Sequence, residues 1–70
     1  MTPIFADGQK VRFSDYITAL APAYAGQTFT VLAATAQWEI GRRNEWCGDY
    51  VIQSESGEKS ITSESCLVAM

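Results

Sequence analysis

Gln9-Lys10-Val11-Arg12-Phe13 alternates polar and apolar residues, which places Val11 and Phe13 on one face of a short strand. Asp7-Gly8, just before it, is turn chemistry. The period then changes. Ile17, Leu20 and Ala21 fall at i, i+3 and i+4, so a helix of one or two turns is predicted after Ser14. Ser14 is placed to cap that helix through its side chain, Asp15 suits the positive end of its dipole, and Pro22 ends it. A helix this short does not stand alone in water and must dock on something. Ala23-Tyr24-Ala25-Gly26-Gln27 reads as a loop.

Thr28 to Thr35 is the strongest strand. Phe29, Val31 and Ala33 alternate with Thr28, Thr30 and Leu32, and the β-branched content suits a pleated sheet. Residues 37–48 have no clean period, two tryptophans and two glycines, and read as a long connection. Asp49 to Glu55 is a third strand, with Tyr50 and Ile52 on one face. Ser56-Gly57 predicts a two-residue hairpin turn, because glycine supplies positive φ without strain. Glu58 to Thr62 follows as a fourth strand, with Ile61 expected inward. Ser63-Glu64-Ser65-Cys66 reads as one helical turn, and Leu67 to Met70 as a closing strand. The predicted core is Val11, Phe13, Phe29, Val31, Tyr50, Ile52, Ile61 and Leu67.

Five short strands, two long early loops, a tight hairpin and a one-turn helix before the last strand resemble an SH3-like barrel. The resemblance is carried by Gly8-x-x-Val11-x-Phe13, by Gly26-Gln27-Thr28-Phe29-Thr30-Val31, and by Tyr50-Val51-Ile52 followed by Gly57-Glu58. The closing Ser63-Glu64-Ser65-Cys66-Leu67 is similar to the acidic turn and leucine that end many such domains. The resemblance implies a mainly β, five-stranded small barrel forming a single domain over residues 1–70. A short helical insert in the first long loop and a Trp-rich second loop depart from the usual pattern. The resemblance defines an architecture and implies no reaction. It also implies that the loops after the first and second strands lie side by side at one rim. That would bring Tyr16 and Tyr24 together with Trp38, Arg42, Arg43 and Trp46 as a binding surface, since Trp, Tyr and Arg dominate binding hot spots. The plainer reading keeps the tryptophans in the core and Arg42-Arg43 at a solvated loop tip.

Composition narrows the function classes. A chain of 70 residues buries only about 60% of its unfolded surface, which leaves little room for an active-site cleft as well as a core. There is no histidine, so a Ser-His-Asp triad, a Cys-His dyad and imidazole metal sites are excluded within the chain. Cys47 and Cys66 are too few to close a structural zinc site, and no cofactor or metal is expected. Met1 to Gly8 has no basic region and no apolar run, so no secretory leader is expected, and no segment is long enough for a bilayer span. A cytoplasmic protein with both thiols reduced is the expectation.

Charge is uneven. Residues 1–44 carry four cations against three acids, whereas residues 45–70 carry Lys59 alone against five acids. A net charge of −3 disfavours nonspecific nucleic-acid binding, which depends on neutralising phosphates. The expected function is a non-catalytic protein-interaction module. By analogy, the setting would be a phage or mobile-element accessory protein that occupies a host protein. The alternatives are a nucleic-acid-associated barrel and a small homo-oligomeric structural protein.

Overall fold

The computed structural model describes residues 2–34 and 48–70. In chain order these form β1 (Lys10–Phe13), α1 (Asp15–Leu20), a 3₁₀ turn (Pro22–Tyr24), β2 (Phe29–Ala34), β3 (Asp49–Ser54), β4 (Lys59–Ser63), a second 3₁₀ turn (Glu64–Cys66) and β5 (Leu67–Ala69). The protein is mainly β. All five strands join antiparallel in one sheet, in the order β4-β3-β2-β1-β5.

The chain itself forces this sheet to curl. β4 and β5 are its two outer strands, and a flat sheet would hold them four strand spacings apart, about 19 Å. Only Glu64, Ser65 and Cys66 join them, and four residue steps reach at most about 14 Å. The 3₁₀ turn is therefore a corner at which one edge passes to the other. Its backbone is tied to both sides: the Glu64 N–H donates to Gly48 O at 2.7 Å, and the Ser14 N–H donates to Cys66 O at 2.8 Å.

Among the described residues the concave face holds a core of Phe5, Val11, Phe13, Phe29, Val31, Tyr50, Ile52 and Leu67. Seven of these are the residues that strand alternation predicts. Ile61 is the exception, and it is 66% exposed. The reason lies in the β3–β4 hairpin. The Ser54 N–H donates to Glu58 O at 2.9 Å and the Gly57 N–H to Ser54 O at 2.9 Å, so the loop is Glu55-Ser56-Gly57. Three residues, with Gly57 at φ 94°, replace the expected Ser56-Gly57 turn. A two-residue turn would set Ile61 opposite Ile52, facing in. The observed register sets Ile61 opposite Val51, and Ser60 opposite Ile52. One residue of slip thus turns every β4 side chain over. Ile61→Thr should accordingly change stability by less than about 0.5 kcal/mol, as surface substitutions do. A loss of several kcal/mol in urea unfolding would mean that this register is wrong.

A second irregularity sits in β2. Val31 lies opposite Ile52 and Ala33 opposite Val51, so Leu32 is the extra residue of a bulge. Beyond it the faces exchange. Ala34 packs against the core, where simple alternation would have sent Ala33.

The eighth member of the described core is Phe5, from a stretch with no periodic signal. Its ring lies 5.4 Å from that of Tyr50, and its backbone is anchored there. The N–H groups of Ile4 and Phe5 donate to the Tyr50 hydroxyl at 3.0 and 3.2 Å. The helix follows the sequence only in part. Ser14 is the residue before α1, but its hydroxyl makes no capping bond. Asp15 instead pairs with Arg12 at 3.1 Å. Ile17 packs on the core, Leu20 does not, and Ala21 leaves the helical region, at φ −133° and ψ 78°, ahead of Pro22.

Candidate functional site

Antiparallel order places the first loop and the β3–β4 hairpin at the same end of the sheet. Ala34 at the close of β2 and Asp49 at the start of β3 lie at the other end. Between the first loop and the hairpin lies a cleft of about 310 Å³, lined by Phe13, Tyr24, Gln27, Phe29, Ser54, Ser56, Glu58 and Ser60.

Its floor is aromatic and rooted in the core. Phe13 and Phe29 meet edge to face with ring centroids 5.0 Å apart. Tyr24 lies over Phe13, with centroids 4.9 Å apart and planes tilted by 48°. Tyr24 is still 43% exposed, so it is at once fixed and accessible. The loop holds the ring there by its own bonds. The Tyr24 N–H donates to Ala21 O at 3.0 Å, the Ala25 N–H to Pro22 O at 3.0 Å, and the Gln27 N–H to Tyr24 O at 3.2 Å. Gln27 Nε2 closes the same turn on Ala23 O at 2.7 Å.

The opposite wall is polar. Ser54 Oγ lies 2.9 Å from Ser56 Oγ and accepts the Glu58 N–H at 3.1 Å. Gln53 Nε2 donates to Gly57 O at 3.1 Å, which ties the turn back to β3. The hairpin therefore presents three hydroxyls and the Glu58 carboxylate across from an aromatic floor.

Of the six residues that the sequence nominates for binding, Tyr24 lines this cleft. Tyr16 stands on α1, 73% exposed, and is not part of the lining. Trp38, Arg42, Arg43 and Trp46 lie outside the described residues, as does Cys47. Cys66 carries a free, half-buried thiol. Gln27, Ser54, Ser56, Glu58 and Ser60 were not legible as a site. Serine and glutamate near a glycine turn signal a hairpin, and only the three-residue register points Ser60 toward the cleft.

A second polar cluster closes the opposite side of the core. Tyr50 is fully buried, and its hydroxyl donates to Glu64 Oε2 at 2.5 Å. The Ile4 N–H also reaches Glu64 Oε2, at 3.3 Å. Burial, reinforced by this hydrogen bond, pushes the Tyr50 phenol above its ordinary pKa, against a smaller downward pull from the Phe5 and Ile4 N–H groups. The cluster pins the N-terminal segment over the core.

Among the described residues no group of three or more Asp, Glu, Cys or His is arranged to hold a metal ion. No helix among them is long and apolar enough to cross a membrane. Comparison with family models, curated proteins and solved structures finds no match.

Proposed function

We propose that this chain is a non-catalytic protein-interaction module that receives a short partner segment in the cleft between the first loop and the β3–β4 hairpin. The observation that carries this reading is Tyr24, an exposed ring seated on the buried ring of Phe13. An aromatic group held rigidly at a pocket wall loses little entropy on binding, and such residues anchor interfaces. The cleft sits at the low end of the 300–1,000 Å³ typical of ligand pockets, so it suits one or two side chains of a peptide. Catalysis is disfavoured by the absence of histidine, which removes the usual general base.

Selection of a displayed library of short peptides against the whole protein tests the reading. A consensus is expected whose affinity falls at least tenfold in Tyr24→Ala (about 1.4 kcal/mol). Ser56→Tyr, which crowds the cleft without touching the core rings, should weaken the same peptides. Peptides indifferent to both substitutions, or no consensus at all, would refute the cleft as the binding site.

A further inference from the structure

Resting on that reading, we infer that the group seated in the cleft is a guanidinium, from an arginine side chain of the partner protein. Three features of the cleft converge on it. The first is charge. Glu58 is the charged residue of the lining among the described residues, none of which is a lysine or arginine there. The described cations are directed elsewhere. Lys10 Nζ donates to Thr30 Oγ1 at 2.7 Å, Arg12 pairs with Asp15, and Lys59 stands on the outer face of the sheet opposite Gln53. Glu58 makes no ion pair with any described residue, and Glu55 adds a second negative charge in the adjoining turn.

The second feature is the aromatic wall. A guanidinium is planar, weakly hydrated and able to stack on an aromatic face, which a compact ammonium does less well. Tyr24 offers a ring already fixed by Phe13. The third is the supply of acceptors. A stacked guanidinium keeps its N–H groups in its own plane, where a carboxylate takes two of them in parallel. The hydroxyls of Ser54, Ser56 and Ser60 can accept others. So can Gln27 Oε1, since Gln27 Nε2 is committed to Ala23 O. Five donors thus meet a carboxylate, three hydroxyls and an amide oxygen. An anionic ligand, a phosphate included, would instead face an acidic wall.

Amide chemical-shift titration of the 70-residue protein decides the matter with three small probes. N-acetyl-arginine amide is expected to shift Tyr24, Gln27, Ser56 and Glu58. N-acetyl-citrulline amide has the same shape without the charge, and should bind roughly fivefold more weakly or worse. Glu58→Gln should erase that preference, because the Glu58 carboxylate makes no hydrogen bond or ion pair among the described residues, and the hairpin is held by the Glu58 backbone groups. Equal binding of the two probes overturns the inference, and so do arginine shifts centred on Asp7, Asp15 or Glu64. N-acetyl-phenylalanine amide separates the two levels of argument. If it shifts the cleft and arginine does not, the guanidinium is wrong and the interaction module stands. If none of the three shifts a cleft residue at tens of millimolar, both fail.

Discussion

Phe29→Ala should lower the free energy of unfolding by about 3–5 kcal/mol, the range for emptying an aromatic site in a core. Phe29 is 5% exposed at the start of β2, and it meets Phe13 edge to face. The loss therefore combines transfer of a large ring, the cavity left behind, and an aromatic pair. For a domain of this length the total stability is on the order of 4–10 kcal/mol, so a large part of it goes with one side chain. Thermal melting followed by circular dichroism should show most of the variant unfolded near 37 °C. A melting temperature within a few degrees of wild type would place Phe29 outside the core. The same substitution removes part of the cleft floor, so peptide affinity should fall even in the fraction that remains folded.

Tyr50→Phe is expected to cost about 1–3 kcal/mol, through the polar partners it strands rather than through lost volume. The Tyr50 hydroxyl donates to Glu64 and accepts from the N–H groups of Ile4 and Phe5. Without it, hydrogen exchange at those two amides should quicken, with β2 and β3 less affected. The phenol also makes stability depend on alkaline pH. Its pKa is raised in the folded protein, so above about pH 10 the unfolded chain releases a proton that the folded chain still holds. Stability contributed by this group is complete below that pH and declines as pH rises through the folded value. Urea midpoints measured from pH 8 to pH 11 should fall for wild type by more than for Tyr50→Phe. Parallel slopes for the two proteins would show that Tyr50 titrates normally.

Ile61 and Phe5 mark where local pattern stops determining burial. Ile61 sits in a stretch that reads as a strand, and it is in a strand. Its face depended on whether the preceding loop held two residues or three. That is a matter of a few hydrogen bonds around Ser54, Gly57 and Glu58. Phe5 has no periodic neighbours, and it is buried because two backbone N–H groups find the hydroxyl of a residue 45 positions away. Similarly, Tyr24 is legible as an aromatic loop residue, but its partners Ser54, Ser56, Glu58 and Ser60 come from a hairpin some thirty residues on.

The sequence by itself determined the strands, the places of the turns between them and seven of the eight core positions among the described residues, because alternation and turn residues act within a few neighbours. It also determined that no histidine chemistry is available. Tertiary structure alone decided the order β4-β3-β2-β1-β5, the face of β4, the exchange of faces at Leu32 and the site. Each of these depends on register between distant segments. Register is set by which backbone groups and rings find one another once the sheet has curled, and that pairing leaves no periodic trace along the chain.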